Sequence, residues 1–322
     1  EFIYDKNIAQ TIPLDKNDIV LCFGAYTIYT HHKTLFEIKK PLGFKFVQMI
    51  YDFTPILIPH MHKMATVKAY PLFLEYVNTI SDCLLYGGVT AMRDGLDYQK
   101  MNNLPSPSSH SIKFGSDFRD REIDDKKEKL TSETEKHMLR EIGIKGRYIL
   151  MVGTFECRKN HITLYKAYIY LIEQGINPPQ LVLSGHMGWK FENTRIQIAN
   201  DKRLKDRIIF AEPTDLQLDL LYRRCMFTVL PTLYEGWSLT LPESFRYGKL
   251  CIASNVAPLI ETGGDFAEYV HPYDVVGWAD KILYYTNHKQ ELKRREQKIR
   301  DEYKPITWEE CAKEVVKHIQ AL

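Results

Sequence analysis

The chain has 322 residues, of which 44% are hydrophobic and 26% charged, with a formal net charge of +2. That length exceeds one ordinary hydrophobic core and suits two α/β domains of roughly 150 residues each, with a cleft between them. The near balance of charge lacks the basic excess with which a dedicated nucleic-acid binder neutralises phosphates, which excludes nucleic acid as the main partner.

From Asp18 to about Phe118, short apolar runs alternate with amphipathic stretches, as in a β-α-β series. Ile19 to Phe23, Phe44 to Ile50 and Cys83 to Tyr86 read as strands, and Met64 to Thr79 as a helix. Lys63, Lys68, Tyr70, Phe73 and Tyr76 could give that helix a basic, aromatic face for peripheral membrane contact, or an ordinary core-facing stripe. Between Arg119 and Lys145 the chain turns acidic and basic with no long apolar run, as an exposed linker and a surface helix would.

The second half alternates more cleanly. Strands are expected at Tyr148 to Val152, Gln180 to Ser184, Ile208 to Ala211, Phe227 to Leu230 and Leu250 to Ala253, separated by helical stretches. This is the pattern of a parallel sheet covered by helices on both faces, in which ligands bind beyond the carboxyl ends of the strands. Trp308 to Leu322 forms a terminal helix with apolar positions at Trp308, Cys311, Val315, Val316 and Ile319 that packs back onto a domain.

The six cysteines, Cys22, Cys83, Cys157, Cys225, Cys251 and Cys311, never take the C-x-x-C spacing of a zinc site or redox pair. They read as reduced thiols, and cytoplasm is the expected compartment, since no run approaches a membrane span and no signal-peptide pattern opens the chain. The chain begins at Glu1, not Met, so a natural beginning is expected to precede it.

Residues just past the strand ends carry the chemistry. The first strand of the second half runs into Gly153-Thr154-Phe155-Glu156-Cys157-Arg158-Lys159-Asn160. A small residue there admits a ligand, and Arg158 and Lys159 can bind two phosphates, one by a planar fork and one as a point charge. Equally, the two are solvated charges ahead of a helix capped by Asn160. The fourth strand ends in Pro231-Thr232-Leu233-Tyr234-Glu235-Gly236-Trp237-Ser238-Leu239-Thr240-Leu241-Pro242-Glu243. Gly236 permits a sharp turn, and Pro242 belongs in a first helical turn, so a helix start facing an anion is expected near Ser238 or Leu239. Glu235 and Glu243, eight residues apart, can face the same crevice and accept hydrogen bonds from sugar hydroxyls; alternatively Glu243 only complements the helix dipole.

These segments resemble the donor domain of the GT-B-fold retaining glycosyltransferases of family GT4. The likeness rests on Gly153-Thr154, Arg158-Lys159-Asn160, Glu235 to Glu243, Ala253-Ser254-Asn255 and Glu261 to Asp265, in that order, over roughly Tyr148 to Asp280. Where many relatives have Gly-Phe-Gly-Leu-Pro, this chain has Gly236-Trp237-Ser238-Leu239-Thr240, which leaves the donor's identity open. The first half is similar to the acceptor domain through Ile50 to Pro55 and Phe114 to Asp117, with Tyr51 where members acting on mannose or rhamnose polymers have His. A first strand with a Gly-rich turn is lacking, in line with truncation.

The resemblance implies a GT-B fold, α/β with two Rossmann-like domains whose parallel sheets face across a cleft, the N-terminal one incomplete. Residues 1–130 would form the acceptor domain, 131–304 the donor domain, and 305–322 a helix returning toward the acceptor domain. Arg158 and Lys159 would hold the donor diphosphate, Glu235 the transferred sugar and Glu243 the ribose, with Gly153, Thr154, Gly236, Trp237, Ser238 and Leu239 around the donor. Asp52 is the candidate catalytic or substrate-contacting acid, unless it only caps a helix. His60 and His62 could line the same cleft, and as a metal pair they lack acidic or thiol partners nearby. The expected activity is transfer of a hexose or deoxyhexose, with retention and no metal or other cofactor, from a nucleoside-diphosphate sugar to a saccharide or lipid-linked saccharide. The setting implied is O-antigen or other surface polysaccharide synthesis, at the inner face of the cytoplasmic membrane or free in the cytoplasm. An epimerase acting on a sugar nucleotide, or a non-catalytic scaffold, are the alternatives.

Overall fold

The computed structural model describes residues 14–24, 29–117 and 131–322. The first half forms a parallel sheet of four strands in sequence order, β1 (Ile19–Cys22), β2 (Lys45–Ile50), β3 (Cys83–Gly87) and β4 (Ser108–Ile112). Between them run α1 (Tyr29–Leu42), α2 (Thr54–Leu57), α3 (Met64–Ile80) and α4 (Val89–Met101). Strand alternation sorts the apolar side chains between two faces. Ile50, Leu84 and Tyr86 pack against Tyr70, Phe73, Leu74 and Val77 of α3. Tyr70 and Phe73 therefore belong to the core, which corrects the membrane-facing alternative for this helix.

The second half begins with α5 (Ser132–Glu141) and carries a parallel sheet of six strands in the order β10-β9-β8-β5-β6-β7. These are β5 (Tyr148–Val152), β6 (Gln180–Ser184), β7 (Ile208–Ala211), β8 (Thr228–Leu230), β9 (Cys251–Ser254) and β10 (Glu268–Val270). The crossover helices are α6 (His161–Glu173), α7 (Glu192–Asn200), α8 (Asp215–Arg224), α9 (Thr240–Arg246) and α10 (Ala257–Gly263). Two further helices, α11 (Val275–Asn287) and α12 (Lys289–Glu302), follow β10. The chain leaves β5 toward β6 and β7, then returns to pair β8 against the other edge of β5. That reversal opens a crevice above the adjoining ends of β5 and β8.

The linker expected from Arg119 lies outside the described residues as far as 130. The helix expected after it is α5, which is anchored as well as exposed: its buried Glu135 pairs with Arg223 and Arg224 of α8. Two short strands were not expected, β4 and β10. β4 reads Ser-Ser-His-Ser-Ile, with little apolar signal, and is held by its register on β3. The last helix, α13 (Trp308–Ile319), lays Cys311 and Val315 on the open face of the first sheet, against Val47, Met49, Cys83, Leu85 and Ile112. Its entry is fixed by the turn after β4: Asp117 accepts from the Trp308 N–H at 2.7 Å, and Ser116 donates its N–H to the Ile306 carbonyl.

Candidate active site

The loops after β5 and β8 meet in the crevice at the strand reversal. Arg158 and Lys159 occupy a short 3-10 turn (Cys157–Lys159), and Lys159 is only 9% exposed. Burial corrects the reading of these two as solvated charges. Asn160, at φ 59°, does not cap α6 through its side chain. Instead its amide donates to the Pro231 and Pro272 carbonyls, tying the β5 loop to those after β8 and β10. A left-handed residue at this point is what turns the chain from the 3-10 turn into α6.

Glu235, 6% exposed, accepts from Lys159 Nζ through Oε1 and from Arg158 Nη1 through Oε2, both at 2.7 Å. Arg158 Nη2 lies 2.6 Å from Oε1 of a second carboxylate, Glu156. Burial alone would discourage the negative charge on Glu235, yet Arg158 and Lys159 outweigh it and hold the carboxyl at about 2. Glu156 moves the other way, raised by burial that its neighbouring cations only partly offset, with Glu235 adding to the rise.

Glu243 is separated from this cluster. It sits in α9, accepts from Tyr222 Oη at 2.9 Å, and is raised above the usual carboxylate range by burial, with Tyr222, Arg246 and Lys159 opposing. Tyr222 is stacked on Tyr247 at 4.8 Å. α9 begins at Thr240, one residue beyond the expected start, and Pro242 does fall in its first turn. The left-handed residue of this loop is Ser238, at φ 65°, and not Gly236. Gly236 is needed for a different reason: a Cβ there would collide with the Tyr51 carbonyl and come within 2.9 Å of Asp52 Cβ. The two halves touch at this glycine.

A cavity of about 720 Å³ opens beside the contact. Asp52, Lys159, Glu235, Gly236, Trp237, Ser238 and Leu239 line it, while Gly153, Thr154, Arg158 and Glu243 do not. Gly153 lies behind Lys159, and its φ of 151° is what calls for a glycine there. Among the described residues, the buried Trp237 indole N–H and Ser238 hydroxyl have no hydrogen-bond partner. Asp52 combines a cap-like contact with a place on the cavity wall. Its Oδ1 accepts from the Thr54 N–H at 2.8 Å and the Thr54 hydroxyl at 2.6 Å, a cap-like role, and it also borders the cavity.

His62 and His60 part company. His62 is 7% exposed, faces Asp52, Arg158 and Lys190 electrostatically, and is lowered mainly by burial; His60 is exposed. Lys190 donates to the His60 carbonyl at 2.9 Å, and Trp189 Nε1 and Cys157 Sγ donate to that of Met61. Among the described residues no group of three or more His, Cys, Asp or Glu side chains converges as metal ligands would.

Sequence patterns did not single out three further contacts, two across the cleft and one at the cavity wall. Glu261 of α10 accepts from the Val89 and Thr90 N–H groups and the Thr90 hydroxyl at the start of α4, and Tyr234 donates to Asp94 at 2.5 Å. Trp308 of α13 stacks on Phe114 at the cavity wall. Each joins residues more than a hundred positions apart, so no local spacing announces it.

Two parallel sheets facing across a cleft, with cations and carboxylates at the strand reversal of the second, define a GT-B architecture. The chain belongs to the family of glycosyl transferases group 1, whose family model matches residues 134–302, more than half of it. The O-antigen chain mannosyltransferase B of Escherichia coli is 29% identical over 170 residues, 52% of this chain and 44% of that protein. The serotype-specific mannosyltransferase WbdA of Escherichia coli is 30% identical over 130 residues, 40% of this chain and 16% of that protein. This chain thus spans less than half the length of these relatives. Among solved structures, Anabaena HepE in complex with UDP superposes with a TM-score of 0.69 at 13% identity, covering 95% of this chain and 79% of that one. Sucrose-phosphate synthase from Thermosynechococcus elongatus does so with a TM-score of 0.65 at 18% identity, covering 90% and 71%. At such identities the likeness is one of fold. Among the described residues no helix is long and apolar enough to cross a membrane.

Proposed function

We propose that the chain transfers a hexose or deoxyhexose, with mannose the first to test, from a nucleoside-diphosphate sugar to a saccharide acceptor in surface polysaccharide synthesis. The observation that carries this reading is the meeting of Arg158, Lys159 and Glu235 at the strand reversal, on one side of a cavity that Asp52 borders from the other half.

In the reaction the bond from the anomeric carbon to the diphosphate oxygen breaks, and a bond to an acceptor hydroxyl oxygen forms as that hydroxyl's proton passes to the departing diphosphate. Negative charge grows on the departing diphosphate. Fixed cations stabilise it without rearrangement, so Arg158 and Lys159 supply there what a metal ion would otherwise supply. Without donor the two cations are held by Glu235, with Glu156 also on Arg158, so donor entry is an exchange: the diphosphate takes the cations, and Glu235 turns to a sugar hydroxyl. Glu243, hydrogen-bonded to Tyr222, would hold the ribose, and Trp237 Nε1 and Ser238 Oγ, without partners among the described residues, would serve the transferred sugar. Asp52 is the acid on the acceptor side. Independence of metal goes with this clamp, and retention of anomeric configuration is what the resemblance to the GT4 enzymes implies. The cavity's mainly aliphatic and aromatic wall, with Leu21, Met49, Val315 and Trp308, suits an acceptor carrying an apolar portion, as a lipid-linked saccharide does at a membrane surface.

The test is a thermal-shift screen against GDP, UDP, ADP and dTDP and their common sugars, because a ligand of the native state raises its apparent stability. A selective rise, with turnover unaffected by a chelator, supports the reading; a folded protein that responds to no nucleotide refutes it.

A further inference from the structure

Glu156 belongs to the ion cluster yet lies outside the cavity, and the reaction as described gives it nothing to do. It is 1% exposed; Oε1 holds Arg158 Nη2 at 2.6 Å, and the buried Oε2 has no partner among the described residues. Arg158 is therefore gripped on two sides, with Nη1 on Glu235 and the Tyr234 carbonyl and Nη2 on Glu156. The two carboxylates differ in what they can leave for. Glu235 lines the cavity and can turn into it, whereas Glu156 is enclosed behind the guanidinium on the segment between β5 and the 3-10 turn.

If a diphosphate takes Arg158 and Lys159, Glu235 must surrender both of its ion pairs. Arg158 would then be a long side chain with its main anchor gone, free to follow the phosphate or swing away. A charge-assisted hydrogen bond is roughly twice as strong as a neutral one, and a guanidinium's planar fork transmits a grip on one nitrogen to the direction of the other. We infer that Glu156 is a positioning residue: it fixes the Nη2 edge of Arg158 so that Nη1 stays directed at the donor diphosphate when Glu235 disengages to the sugar. This inference rests on the clamp assignment of Arg158.

Calorimetric titration of GDP and UDP separates the two ideas. Arg158→Ala weakens the preferred nucleotide at least tenfold, and nucleotide binding unaffected by that change overturns the clamp itself. Glu156→Ala weakens it about tenfold, while Glu156→Gln, which keeps the accepting oxygen, recovers most of the loss. In the Arg158→Ala background Glu156→Ala adds nothing, because the side chain it positions is gone. Glu156→Asp, which withdraws the carboxylate by a methylene, provides the same reading if the alanine variant does not fold. Losses that multiply in the double variant, or a glutamine variant as weak as the alanine one, overturn the role of Glu156 while leaving the clamp in place.

Discussion

Two carboxylates eight residues apart, the buried Glu235 in the loop after β8 and the half-buried Glu243 in the helix that follows, occupy opposite electrostatic surroundings. Glu235 meets two cations and is held at about 2 despite its burial; Glu243 meets a phenol and is raised. Burial is common to both and so cannot set their charge. What differs is the counter-cation, and that is supplied by the loop after β5, more than seventy residues earlier in the chain.

The comparison breaks first at Lys159. Lys159→Ala is expected to lower kcat/KM on the order of 100-fold, the cost of losing one preorganised contact to a developing anion. Its effect on urea stability stays at or below about 3 kcal/mol, since Arg158 still pairs Glu235. An unchanged rate would remove the difference in function between the two carboxylates.

Acid unfolding sharpens the comparison further. The folded-state value of Glu235 lies below the ordinary 4.5, so its stabilisation is present above 4.5 and is lost as pH falls toward about 2. That contribution is on the order of 3 kcal/mol. Glu235→Gln should therefore flatten the fall in stability measured by urea titration between pH 5 and pH 2, whatever it does to stability at neutrality. A variant that follows the wild-type slope across that window would contradict the ion cluster.

Gly236 fastens the Glu235 loop, and not Glu243, to the first half of the molecule. Gly236→Ala places a methyl group against the Tyr51 carbonyl and Asp52, so the halves must shift apart. A misalignment of about 1 Å can cost up to roughly 100-fold, and kcat/KM is expected to fall by at least about tenfold, with nucleotide affinity in calorimetry nearly unchanged.

The smallest effect is the mirror image of the Glu235 result. Because the Glu243 value is raised, its charge weakens the fold above that value and the penalty disappears as pH falls below the unfolded 4.5. Glu243→Gln, which keeps an acceptor for Tyr222, should thus match or exceed wild-type stability at pH 7 by up to about 1 kcal/mol and lose that margin in acid. A variant clearly less stable at pH 7 would mean that Glu243 is stabilised by a cation after all.

Much of the site was legible because the chain states it locally. Arg158-Lys159 and Glu235 follow buried β-runs, and a parallel sheet places its ligand groups past strand ends. Glu156 was legible as a letter and not as a role: nothing in a loop's sequence tells whether a carboxylate points at solvent or at a guanidinium two residues away. Gly236 reads in the sequence as the residue that permits a sharp turn; in the fold the left-handed residue of that loop is Ser238, while the glycine answers a collision with Tyr51.

The sequence by itself determined the alternation of strand and helix, hence two parallel sheets, because apolar periodicity and buried β-branched runs act within a few residues of where they are written. It also determined which charged residues lie past the strand ends. Only the tertiary structure decided which of these meet: that β8 returns beside β5, that Glu235 reaches Arg158 and Lys159 while Glu243 reaches Tyr222, and that Glu156 stands behind the guanidinium. The physical reason is that the charge state and direction of a buried ionisable group depend on partners brought within about 3 Å by the fold, and those partners are set by strand order across the sheet, not by spacing along the chain.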